Sequence, residues 1–257
     1  MLTPPEIAQS LLAAGESKAR LPFGKMLLLA ILAGAYIALA GVGATAAAVT
    51  VESGSLAKLL SACVFPAGLS MVILAGSELF TGNCLMVMAL LERRITPAQL
   101  LRNWLTVYLG NAVGGAAVAA LAVYSHTASL FGDGLARSMI SIAESKAALG
   151  FGDAFLRGVL CNFLVCLAVW MAAASKRAEG KVIALFFPIL LFVLCGYEHC
   201  IANLYYLPAG AFAAAEYGME TTLTLAGCLK NLAAVTLGNL VGGAALGVGY
   251  RFAYLKE

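Results

Sequence analysis

The sequence predicts an all-α membrane protein of six transmembrane helices, in two halves of three spans, with the second and fifth helices broken. Three observations carry that expectation. Hydrophobic residues make up 62% of the 257 residues and charged ones 11%, with mean hydropathy +0.93. An ordinary soluble domain is about half apolar and a quarter charged. Two of the six apolar segments are too long for a single span, and each carries one copy of a short pattern, AGSELFTGN at 75–83 and CGYEHCIAN at 195–203. The net charge of +3 is small and points to no nucleic-acid partner.

Residues 1–25 are expected to form a cytoplasmic N-terminal segment. The first 20 are polar and hold Pro4 and Pro5, and no cleavable signal is apparent. Leu2, Ile7, Leu11 and Leu12 fall along one face of a short helix, suited to the membrane surface or to a cytoplasmic partner. A first three-helix unit covers 26–124, with apolar segments at 26–50, 59–91 and 104–124. An extracytoplasmic loop is expected at 125–157. A second unit covers 158–250, with segments at 158–175, 182–212 and 231–250, and a cytoplasmic tail is expected at 251–257. About 20 residues span the hydrocarbon core. The 33 and 31 residues of the second and fifth segments would make helices of roughly 45–50 Å. Both are therefore predicted to break at the repeated pattern, which is tolerated at membrane depth only where protein or a cavity surrounds the break.

With six spans both termini lie on one side. That side holds Lys18, Arg20, Lys25, Arg93, Arg94, Arg102, Lys176, Arg177, Lys181, Arg251 and Lys256, and the other holds Lys58, Arg137, Lys146, Arg157 and Lys230. Eleven cations against five put the termini in the cytoplasm.

The pattern reads G-x-E-x-x-x-x-N, so that Gly76, Glu78 and Asn83 match Gly196, Glu198 and Asn203. Further on, LGNAVGGA at 109–116 and LGNLVGGA at 237–244 share seven of eight residues, and Phe-Gly at 23–24 recurs at 151–152. Both of these pairs are offset by 128 residues, the G-x-E copies by 120. Small residues alone allow tight helix packing and some chance likeness. Matched carboxylates in two over-long segments are not explained that way. Three spans per half is an odd number, so the second half is expected to be inverted, with both broken helices meeting near the midplane.

The seven cysteines lie in or beside apolar segments without a C-x-x-C pair. Packing thiols, rather than metal ligands or disulfides, are expected. No metal and no cofactor is implied.

AGSELFTGN, LCNFLVCLAVWMA (160–172), GYEHCIAN and VTLGNLVGG (235–243) resemble, in this order, the signature segments of the formate/nitrite transporter family. The resemblance runs over nearly the whole chain. It implies a homopentamer of aquaporin-like protomers, each with its own pore for formate, nitrite, hydrosulfide or a similar small monovalent anion. It also implies a bacterial inner-membrane location. By the same resemblance the central pore histidine falls on His199 and its hydroxyl partner on Thr81. A vestibule lysine falls on Lys146, and a pore asparagine on Asn162. The hydrophobic constrictions fall on Phe65, Leu69, Leu79, Phe80, Val165 and Phe192. Asn239 is implied to satisfy backbone at a break of the sixth helix, with Asn111 its counterpart.

A lone charge is costly to bury. The anion therefore needs either helix N-terminal dipoles around it or a proton that carries it across as a neutral acid. His199 suits both roles, although a lone histidine in an apolar run is more often a packing residue. Glu78 and Glu198 would repel an anion. They are expected to be structural, accepting bonds from the amides of the broken segments with Asn83 and Asn203 helping. Lys146, following Glu144 in the expected loop, reads as a solvated charge on composition and as an anion attractor by resemblance. A neutral-solute channel of aquaporin type is the alternative, but no N-P-A motif occurs. An integral-membrane enzyme is disfavoured. The only other histidine is His126, and neither G-x-S-x-G nor a phosphate loop is present.

Overall fold

The computed structural model describes residues 1–255. Lys256, one of the cations counted above, and Glu257 lie outside the described residues, as does that part of the expected tail. All regular structure among the described residues is helical.

Helix α1 (Pro4–Ala19) starts with two prolines in its first turn, where their missing N–H groups cost nothing. The Glu6 carboxylate accepts from the Thr3 N–H at 2.7 Å and from its hydroxyl at 2.8 Å. These bonds hold its carboxyl below the usual carboxylate range. The apolar face expected from Leu2, Ile7, Leu11 and Leu12 is there, but Ile7, Ala8 and Leu12 are buried against the helical bundle.

Helix α2 (Phe23–Ala48) is followed by α3 (Gly54–Val64) and α4 (Pro66–Ala75), which run on through Phe65 as one apolar stretch. The chain then breaks. Gly76 takes a left-handed conformation, φ +77°, which a side chain would make strained. Helix α5 (Phe80–Asn83), one 3₁₀ turn (Cys84–Met86) and α6 (Val87–Leu91) complete the segment. Helix α7 (Pro97–Tyr124) opens with a reciprocal cap between Thr96 and Gln99.

The expected loop at 125–157 is largely helical: α8 (Gly134–Ala148) occupies its centre, and α9 (Phe151–Ala173) begins inside it. Leu135, Ala136, Met139, Ile140, Ala143 and Ala147 of α8 are buried, a helical period that draws this segment onto the bundle. Helices α10 (Ala178–Leu194) and α11 (Cys200–Glu216) flank the second break, where Gly196 takes φ +69°. Helix α12 (Leu225–Tyr254) runs three residues past the start of the expected tail. It is unbroken at Asn239, so the sixth-helix break implied by resemblance is absent. Among the described residues five stretches are long and apolar enough to cross a membrane: 23–48, 54–75, 97–124, 151–173 and 225–254. The α5–α6 stretch is shorter, and α10 and α11 have 17 residues each.

The bundle is assembled by backbone-to-backbone approach. A Cβ built on Gly114 of α7 would lie 2.0 Å from the Ile31 carbonyl oxygen of α2, and one on Gly242 of α12 would lie 2.0 Å from that of Val159 in α9. Contact this close needs glycine on one side. Gly242→Ala is therefore expected to destabilise the protein by about 1–3 kcal/mol and to lower its melting temperature in detergent. Gly249→Ala, where nothing lies within 4 Å, should not lower it.

Candidate functional site

Each break leaves peptide groups without helical partners at a depth where water is scarce, and a side-chain amide takes them up. Asn111 on α7 accepts from the Phe80 N–H at 3.0 Å and donates to the Ala30 and Glu78 carbonyls at 2.7 and 2.9 Å. Asn239 on α12 accepts from the Cys200 N–H at 2.9 Å and donates to the Gly158 and Glu198 carbonyls at 2.8 and 2.9 Å. Both asparagines are fully buried. They serve the second and fifth segments from unbroken helices.

The carboxylates are held the same way twice, by side chains rather than by the backbone amides expected from sequence. Glu78 accepts from Lys18 Nζ at 2.8 Å and from Asn83 Nδ2 at 2.7 Å, and Asn83 donates on to Asn103 at 2.9 Å. Glu198 accepts from Lys146 Nζ at 2.8 Å and from Asn203 Nδ2 at 2.7 Å, and Asn203 donates on to Asn231 at 2.8 Å. The copies are not identical. Lys18 also donates to Asn83 Oδ1 at 2.9 Å. Lys146 instead lies over the Tyr206 ring, 5.3 Å from its centroid, and the matching oxygen of Asn203 is buried without a partner.

Between the breaks, His199 Nε2 lies 2.9 Å from Thr81 Oγ1. The Ala202 N–H donates to His199 Nδ1 at 3.1 Å. That bond makes Nδ1 the acceptor, so the neutral ring carries its proton on Nε2 and donates it to Thr81. Asn162 is fully buried. Its amide donates to the Thr81 carbonyl at 3.2 Å and to that of Asn239 at 2.7 Å, fixing Thr81 in place.

His199 faces a small apolar cavity whose walls include Phe65, Leu69, Leu79, Val165 and Phe192. The Phe65 and Phe192 rings meet edge to face, 5.6 Å between centroids. Beyond this pair opens a vestibule of about 400 Å³ containing Lys58, Lys146, Arg157 and Glu198. Past Leu69 and Leu79 lies a second, of about 410 Å³, containing Lys18, Lys181 and Glu78. Phe80 lines none of these spaces. It packs against Tyr108 and Trp104, with centroids 5.1 and 6.4 Å away.

Three residues of this site escaped the sequence reading. Lys18 stood among the cytoplasmic surface charges, and Asn103 and Asn231 were not singled out. The signal was available: E-S-K-A at 16–19 recurs at 144–147, and Asn103 and Asn231 are also 128 residues apart.

Removing a partner from a buried ion pair leaves a stranded charge. The Lys146 side chain is 15% exposed and that of Lys18 30%. Glu198→Gln should therefore cost more stability than Glu78→Gln, about 1–3 kcal/mol after allowance for solvent at each lysine. Thermal unfolding in detergent measures the order. Unchanged stability with lost anion flux would argue for a direct transport role.

The formate/nitrite transporter family profile matches residues 5–253. A probable formate transporter of Methanothermobacter thermautotrophicus is 38% identical over 99% of this chain and 98% of its own. The formate channel FocA of Haemophilus influenzae is 39% identical over 86% of this chain and 84% of its own. Among solved structures, an FNT family ion channel superposes with TM-score 0.86 at 32% identity, covering 96% of this chain and 98% of that one. A pentameric formate channel with formate bound gives 0.80 at 33%, covering 91% and 98%. Multi-pass in architecture and matched from end to end, the chain belongs to the formate/nitrite transporter family.

Proposed function

We propose that this protein is a channel for formate and, through the same pore, for other small monovalent weak-acid anions such as nitrite and hydrosulfide. The observation that carries the reading is the Thr81–His199 hydrogen bond at the wall of an apolar cavity between two vestibules. In each vestibule cations outnumber carboxylates. Such vestibules concentrate monovalent anions, and the apolar slits strip their water and reject hydrated cations. The tautomer fixed by Ala202 leaves the Thr81 hydroxyl hydrogen free for the permeant oxygen, with the Nε2 proton of His199 behind it. That relay suits an acid crossing in its neutral form. It also lies at the α11 N-terminus, where His199 is the cap and the helix dipole favours negative charge. Glu78 and Glu198 act as scaffold.

The matched bonds at both breaks support two inverted units of three spans with an aquaporin-like course. The charge bias supports cytoplasmic termini and a bacterial relative supports an inner membrane; on that reading the Lys18 vestibule is inside and the Lys146 vestibule outside. The relative named as a pentameric formate channel supports a homopentamer with one pore per protomer. Relatives named as formate transporters and channels favour this reading over the neutral-solute channel and over an enzyme.

His199→Phe tests it in proteoliposomes loaded for formate and nitrite flux. Flux should fall by at least about tenfold, since the hydrogen-bonded group that lowers the crossing barrier is worth 1.4 kcal/mol or more. Size-exclusion chromatography should still show the assembled oligomer. Wild-type flux in an intact assembly would overturn the role of His199.

A further inference from the structure

The scaffold residues recur in both halves, but three cations do not. Arg157, whose carbonyl accepts from the Glu198 N–H, stands where Leu29 accepts from the Glu78 N–H in the other half. Lys58 and Lys181 stand, at the 120-residue offset of the breaks, where Ala178 and Ser61 lie. The break is built in the first half without an arginine, so its geometry does not require Arg157.

Arg157 and Lys58 both face the Lys146 vestibule, and Lys58 is within electrostatic reach of Lys146, Arg157 and Glu198. The one carboxylate there is taken by Lys146 at 2.8 Å. Neither Arg157 nor Lys58 has an ion pair or side-chain hydrogen bond among the described residues. Ser141 and Ser145, one turn apart on α8, line the same space with hydroxyls that likewise have no partner. A guanidinium fork, an ammonium and two hydroxyl donors form a receptor for an oxyanion. A monovalent anion would neutralise only one of the two free cations.

We propose that this vestibule holds a binding site for a small doubly charged oxyanion, formed by Arg157, Lys58, Ser141 and Ser145, and that its occupant plugs the pore. The plug follows from charge. The cost of stripping water from an ion scales with the square of its charge over its radius, so a dianion pays far more than a monoanion at the Phe65–Phe192 slit and has no neutral form to cross in. The dianion enters the vestibule, is held there, and goes no further.

The blocking part rests on the proposed channel function; the site itself does not. Sulfate is the probe, because it stays doubly charged across the working pH range. Isothermal titration of the purified full-length protein should show one sulfate per chain, with at least tenfold weaker binding in Arg157→Gln and in Lys58→Gln. In proteoliposomes, sulfate on the Lys146 side should inhibit formate flux competitively, with flux normalised to each variant's own sulfate-free rate. Chloride at matched ionic strength should inhibit far less, which separates binding from screening. Sulfate titrating with equal affinity into the wild type and the double variant, or not at all, would overturn the site. Sulfate binding without inhibition of a working formate flux would overturn the plug alone. Absent formate flux with sulfate binding intact would count against the channel reading and leave the site standing.

Discussion

Everything in this fold depends on what is done with the peptide groups at the two helix breaks. An apolar surrounding gives them no water, and an unsatisfied amide there costs several kcal/mol. One asparagine per break, Asn111 or Asn239, receives one N–H and donates to two carbonyls. Each sits on an unbroken helix and reaches both the neighbouring helix and the turn, tying three chain segments with three bonds. The carboxylate, asparagine and lysine clusters then fix the turns from the other side. Only with the turns held can a histidine and a threonine from different halves meet at 2.9 Å.

Scaffold and chemistry follow different rules here. The hydrogen bonds that hold the breaks recur almost bond for bond. The residues of the central hydrogen-bonded pair do not: His199 corresponds to Leu79 and Thr81 to Ile201 at the offset of the breaks. Asn162, which steadies Thr81, corresponds to Gly34 at the longer offset. A symmetric frame thus presents one polar pair against one apolar wall. A cavity polar on both sides would hold water and lose the selectivity that a dry slit gives.

Much of this was legible in the sequence because membrane burial makes polar residues conspicuous. A glutamate, a histidine or an asparagine in an apolar run demands a partner, and repetition at a fixed offset says which residues correspond. Lys18 was harder to see. In a polar N-terminal segment a lysine looks solvated, and only its reach to Glu78 shows otherwise. Helix α8 was hidden for a similar reason: with Arg137, Glu144 and Lys146 it is too polar to read as a span, and its buried positions show only in their spacing. The place of Phe80 beside Leu79 in the motif did not say that its ring turns towards Tyr108 and Trp104. Likewise, the position of Asn239 within its motif did not say that α12 stays continuous while the break it serves lies in another segment.

The placement of the two lysines bears on how the chain is made. Lys18 precedes Glu78 by 60 residues and Lys146 precedes Glu198 by 52. In both cases the ammonium is synthesised first, on a helix outside the long apolar stretches, and the carboxylate follows. Each acidic group is therefore made after the cation that neutralises it. The costliest residues in the protein need not wait for the finished bundle to find their counter-charge.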